Sequence, residues 1–198
     1  MKTIMMIVAT LFSFAAFAQV DLSDFDHLDP QHVVPTKPLK QALTYFKTYK
    51  DKFPNQRVIT VIDFTQHSSK KRMYIVDLKT GAVERHIVSH GQGSDPKNTG
   101  YAKIFSNEAN SHASSLGFYR TAEVYTGKHG KSLRLDGLSP TNSKARERAV
   151  VIHAASYVQE GASRSGRSWG CPAVDPSVLD RVVNQVKAGS LLYIWAGQ

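Results

Sequence analysis

One run, Val58-Ile59-Thr60-Val61-Ile62-Asp63-Phe64, constrains this chain more than any other. It is β-branched and apolar on both faces. A strand turns alternate side chains to opposite sides, so such a run suits a strand buried on both. Two more runs, 73–78 and 83–89, flank Lys79-Thr80-Gly81, with glycine where a tight turn needs positive φ. They read as a hairpin. Shorter strands are expected at 117–125, 133–135, 149–153 and 191–195.

Two helices frame these strands. Leu39, Ala42, Leu43, Phe46 and Phe53 recur at helical spacing, and Pro54 stops the run. Later, Asp175 is placed to cap and Pro176 to take a first position. Val178, Leu179, Val182, Val183 and Val186 form an apolar stripe, and Gly189 ends it. The fold class is α+β and β-rich, with helices at the margins.

The N-terminus predicts a destination. A short basic start, an apolar run and Ala16-Phe17-Ala18 form a secretory signal, expected to be cut between Ala18 and Gln19. Its apolar run is short for a membrane span and no basic stop-transfer cluster follows. Three parts are expected: a signal at 1–18, an acidic, proline-rich arm at 19–38 that is extended or loosely docked, and one domain at 39–198. Cleavage leaves 180 residues, enough for a sizeable core, with 24 Lys+Arg against 16 Asp+Glu. A basic surface outside the cytosol suits an acidic wall polymer. Nucleic acid is excluded by compartment and by the lack of a basic helical stripe or aromatic RNA-binding motif. The loop Gly91-Gln92-Gly93-Ser94-Asp95-Pro96 continues in turn signals rather than opening a helix. It reads as a loop rimming a cleft, not a phosphate cradle.

Within this frame, Cys171 is the only cysteine. A lone thiol outside the cytosol closes no internal disulfide, which leaves packing, intermolecular pairing or chemistry. His153, eighteen positions upstream, ends the apolar run 149–153. An imidazole beside a thiol makes thiolate available near neutral pH. The intervening segment is rich in Gly, Ser and Arg and can loop back to bring the two together. Gly170 is expected to open the approach to the thiol and to offer its N–H to a developing oxyanion. Pro172 biases Cys171 toward extended backbone, and Ser168 is placed to hold the turn. Arg164 and Arg167 make the stretch electropositive. His90, His112 and His129 lack metal-site spacing, and a thiol nucleophile calls for no metal or cofactor.

These residues carry a resemblance. The segment from Val151-Ile152-His153 to Ser168-Trp169-Gly170-Cys171 is similar to the active-site signature of the YkuD-like L,D-transpeptidases, a histidine followed by Ser/Thr-His-Gly-Cys. Trp169 stands where the usual signature has a second histidine, and Pro172-Ala173 also departs from it. Gly166-Arg167-Ser168-Trp169-Gly170-Cys171-Pro172, with Ser114-Ser115-Leu116-Gly117-Phe118-Tyr119 and Leu133-Arg134-Leu135-Asp136-Gly137-Leu138, resembles the divergent murein L,D-transpeptidase catalytic domain family.

The resemblance implies that fold, in a mixed sandwich or barrel-like sheet, and a periplasmic enzyme. The partner would be the peptidoglycan stem peptide, met by a monomer with no stable membrane insertion. Cys171 would attack the bond before D-alanine, His153 would take its proton, and a carbonyl at Ala154 would orient the imidazole. The oxyanion would meet the N–H of Cys171 and of Gly170, with Tyr119 a further hydroxyl. Arg167 and Arg120 would bind stem carboxylates, and Trp169 would wall the cleft. An amine acceptor gives a 3-3 cross-link. Water instead makes the enzyme an L,D-carboxypeptidase, and a chain without thiol chemistry would be a wall-binding protein.

Overall fold

The computed structural model describes residues 20–128 and 130–197. The expected signal and its cut, His129 and Gln198 lie outside the described residues. Eight strands form one sheet: β1 Val58–Asp63, β2 Met73–Asp77, β3 Val83–His86, β4 Gly117–Gly127, β5 Gly130–Gly137, β6 Val151–Ala154, β7 Ala173–Val174 and β8 Leu191–Trp195. Their spatial order is β3-β2-β1-β8-β4-β5-β6-β7. The helices are α1 Thr36–Thr48 and α2 Leu179–Val186.

The two-faced run of β1 has its reason in the packing. Every residue of the strand is buried. Val58 and Ile62 point into a core closed by Leu179, Val182, Val183 and Val186 of α2. Ile59 and Val61 point the other way, against Ala42, Leu43 and Phe46 of α1. Each such side chain removed from water contributes about 1.5–3 kcal/mol. β1 is antiparallel to β2 and parallel to β8, so it sits inside the sheet with both edges paired.

The sheet nearly closes on itself. β3 and β7 are its nominal edges, yet the chain just beyond β3 meets the chain around β7. Ser89 N–H donates to Ala173 O at 2.8 Å, and Ala173 N–H to Ser89 Oγ at 3.2 Å. One step further, Gly91 bridges Ser168 in parallel fashion. Ser168 N–H donates to His90 O and Gln92 N–H to Ser168 O. This seam gives the open edges partners, as closure does in a barrel, and it carries the Cys171 turn.

Several elements differ from expectation. The arm is docked rather than loose. Asp29, with φ of 50°, accepts the N–H groups of Val33 and Val34 at 2.9 and 2.8 Å and donates its own N–H to Gly81 O. Leu28 and Val34 are buried under α1. Ahead of α1 the described part of the arm forms only a three-residue 3-10 turn at Ser23–Phe25, too short to show a period, although its apolar residues still pack. α1 starts at Thr36, ahead of Leu39. Asp175 caps a turn, accepting the N–H and hydroxyl of Ser177, and α2 begins only at Leu179. β6 starts at Val151 because Ala149 has a φ of 52°, outside the extended region. The two-residue β7 gave no run to detect. The hairpin turn at Gly81 has the expected positive φ, 76°.

Candidate active site

Three loops and one strand converge at the seam. Residues 89–95 follow β3, residues 111–115 precede β4, residues 168–172 precede β7, and β6 lies beside them. Glycines permit the approach. A Cβ on Gly91 would lie 2.3 Å from His112 O and 2.9 Å from Gly170 Cα. Gly170 has a φ of 118°, and a Cβ there would lie 2.7 Å from Ala113 O. Side chains at either position would separate the loops.

Ser168 holds the turn as the sequence suggested. Its hydroxyl donates to Cys171 O at 2.6 Å and accepts Gly170 N–H at 3.1 Å. This corrects the role given to Gly170. Its N–H is engaged inside the turn and does not face a developing oxyanion, and its missing side chain serves packing. The Gly170 carbonyl accepts Ser114 Oγ at 3.0 Å, and the same hydroxyl accepts Gly91 N–H. Cys171 N–H has no acceptor among the described residues.

β6 and β7 run parallel with His153 level with Ala173. That register sets Cys171 level with Val151 and His153 two residues further along the neighbouring strand. The sulfur is 3.7 Å from Ala149 O, within reach of an S–H donor. Burial pushes the Cys171 thiol up, and the Val151 N–H and the Arg148 charge partly offset this. The resting group is a thiol, and a nucleophilic role for it would require a base. His153 is buried, with Nδ1 2.9 Å from Ala154 O. A carbonyl only accepts, so Nδ1 carries the proton and Nε2 holds a lone pair. The orienting carbonyl is the one the resemblance implied.

The remaining expected residues divide. Trp169 stands on the rim, 70% exposed, stacked on His112 with centroids 4.5 Å apart and planes at 12°. His112 is held in turn by the Gln92 amide at Nδ1, 2.9 Å away. Arg167 lies beside the turn, but its guanidinium donates to the Asp95 backbone carbonyl. Arg164 is exposed. Tyr119 is a correction: it is fully buried, and its hydroxyl meets Ser115 Oγ at 2.7 Å and Ser115 O at 2.8 Å. Burial drives its pKa to about 12, and its hydroxyl is engaged by Ser115. Arg120 is another correction. It pairs with Asp136, which also binds Arg146, in a surface network that includes Glu123.

Other residues at the site went unread. Arg148 lies in Lys144-Ala145-Arg146-Glu147-Arg148, which reads as a solvated charged face. Its only signal was its place at the head of the β6 run. Tyr157 is close enough to feel the Cys171 charge, and its hydroxyl reaches toward Ser89. Behind the turn, the fully buried Arg72 donates to Val88 O, Gln66 O and His90 Nδ1. Nδ1 therefore accepts, and Nε2–H faces Asp95 at 3.5 Å. The loop 91–96, expected to rim a cleft, makes a short 3-10 turn at Gln92–Ser94 packed against this cluster.

The family model for the L,D-transpeptidase catalytic domain matches residues 30–195. This chain belongs to that family. The match takes in part of the arm, the whole sheet and the seam with Cys171 and His153. No curated protein is matched by the sequence. Among solved structures, an L,D-transpeptidase from Mycobacterium smegmatis superposes with a TM-score of 0.45 at 14% identity, covering 71% of this chain and 59% of that one. L,D-transpeptidase 3 from Mycobacterium tuberculosis, in complex with a faropenem-derived adduct, gives 0.46 at 12% identity, over 70% and 60%. The helical cell shape determining protein Pgp2 from Campylobacter jejuni gives 0.43 at 11% identity, over 74% and 50%. The chain thus spans about three fifths or less of these structures' length. At such scores the likeness adds nothing to the family assignment, which rests on the family model.

Proposed function

We propose that the chain is a cysteine-dependent L,D-transpeptidase that acts on peptidoglycan tetrapeptide stems, releases D-alanine and forms 3-3 cross-links. The observation that carries this reading is the Ala154 carbonyl on His153 Nδ1. It leaves Nε2 basic on the strand next to the one that Cys171 leads into.

In the first half-reaction, His153 Nε2 takes the thiol proton and the sulfur attacks the carbonyl carbon before D-alanine. The Cys171 N–H, which has no acceptor among the described residues, receives the oxyanion. The C–N bond breaks, the imidazolium returns its proton to the leaving amine, and a thioester remains. An acceptor amine then attacks, gives its proton to His153, and expels the thiolate, which is reprotonated. Trp169 and Arg167 border the site and serve substrate contacts in this reading. The signal expected at 1–18 supports work outside the cytosol, where peptidoglycan lies.

The test is incubation with disaccharide-tetrapeptides and mass spectrometry of the products. Released D-alanine with 3-3 dimers is the expected result. Released D-alanine with tripeptide alone replaces the transpeptidase with the carboxypeptidase. No release and no change of the stem defeats both.

A further inference from the structure

Arg148 stands apart from the arginines that pair with carboxylates on the surface. Arg146 pairs with Asp136 and Glu123, Arg134 with Glu123, Arg181 with Glu84 and Arg57 with Asp77. Arg148 forms no ion pair among the described residues. Its guanidinium donates to three neutral acceptors: Ser106 O at 2.7 Å, Ala113 O at 2.6 Å and Ser111 Oγ at 3.3 Å. The carboxylate that feels its charge, Glu108, is itself bonded to Lys144 at 2.7 Å.

This uncompensated charge is built against the thiol. A Cβ on Gly170, the residue before Cys171, would lie 3.2 Å from Arg148 Nη2 and 2.7 Å from the same Ala113 O that the guanidinium binds. The chain after Arg148 wraps the sulfur. Ala149 offers its carbonyl to the thiol, and Val151 turns its N–H toward the sulfur. Ala149 holds a φ of 52°, a conformation costly for a residue with a side chain and kept where surroundings enforce it. The guanidinium also ties Ser106, Ser111 and Ala113, in a stretch without regular structure, to the wall of the site.

We propose that Arg148 is a positioning residue that fastens the 106–113 segment to the nucleophile turn and lends its unpaired positive charge to the Cys171 sulfur. The inference rests on Cys171 being the nucleophile. The other titratable groups facing the sulfur are His153 from β6, Tyr157 from the loop after it and Tyr119 from β4. Both tyrosines feel the Cys171 charge, and burial pushes both above the ordinary phenol range.

The test is the rate of Cys171 alkylation by iodoacetamide against pH, with thermal unfolding confirming the fold. No peptide substrate is needed, and no other cysteine interferes. Arg148→Gln is expected to move the midpoint upward by about one pH unit, the size of effect a nearby charge exerts on a thiol. Arg148→Lys keeps the charge and is expected to stay near wild type. Arg148→Met, similar in reach, replaces the glutamine variant if that one unfolds. A folded neutral variant with an unchanged midpoint overturns the inference, as does a lysine variant shifted as far as the neutral one. That failure leaves the proposed function standing. Expected midpoints without stem turnover would defeat the function alone.

Discussion

The middle of the sheet and its closing seam are built on opposite terms. Around β1 and β8, stability comes from area: Ile62, Met73, Ile75, Ile194 and the valines of α2 are buried with few polar atoms among them. At the seam, serine hydroxyls, loop carbonyls and two glycines hold the segments, with a buried arginine and histidine behind them. Burial of apolar area tolerates approximate fit. A buried polar network requires each partner, because an orphaned group keeps its full desolvation cost. The seam is therefore the more fragile region and the one able to fix a thiol and an imidazole in place.

The comparison breaks most sharply at Cys171, the proposed nucleophile. Cys171→Ala should reduce stem turnover by about 10³-fold or more while leaving the melting temperature within a few degrees, since it removes one sulfur at a half-buried site. A steady-state assay beside a thermal melt decides it. Substantial residual activity would mean the seam positions something else.

Next in size is a pair of stability measurements. Arg72→Met leaves Val88 O, Gln66 O and His90 Nδ1 without their donor. It should cost about 3–5 kcal/mol in denaturant unfolding. Ile62→Ala leaves a cavity in the middle of the sheet and should cost about 2–5 kcal/mol. The two differ in consequence. The Arg72 variant should also lose turnover in its folded fraction, whereas the Ile62 variant should keep it. Equal loss of turnover in both would erase the distinction between regions.

The middle of the sheet was legible because its signals are periodic. The 58–64 run, the hairpin about Gly81 and the α2 stripe each appear in the structure within a few residues of expectation. The seam was legible only in part. Cys171, His153 and Ser168 could be read because side-chain chemistry and order in the chain mark them. Arg148, Ser114 and Arg72 could not, since each acts on a segment distant in sequence. Ser114 and Gly170, for example, meet across 56 positions. Tyr119 and Arg120 misled because burial and pairing, which strand position alone does not show, decide what each side chain meets. Tyr119 turns into the core and Arg120 to the Asp136 network.

A smaller effect concerns acid. Burial, followed by the Arg72 charge, lowers the His90 pKa to about 4 from an ordinary 6.5. The unfolded chain then binds a proton that the folded chain refuses between those values. Stability is fully present above about pH 6.5 and is lost as pH falls toward 4, by up to about 3 kcal/mol from this residue. Urea midpoints across that range should fall, and a His90→Asn variant should show a flatter slope. An unchanged slope would place the acid sensitivity elsewhere. Smallest of all, Arg120→Ala should leave kcat/KM within about twofold, because its charge is engaged by Asp136 on an exposed network.

The most direct test of the central claim is whether the seam makes Cys171 a covalent nucleophile with His153 as its base. Intact mass and peptide mapping after rapid mixing with a tetrapeptide stem would read it. The account predicts an acyl adduct on Cys171 that lacks D-alanine, forms much more slowly in His153→Ala and is absent in Cys171→Ala. Release of D-alanine with no adduct at any time point, and at an equal rate in the Cys171→Ala variant, would contradict it.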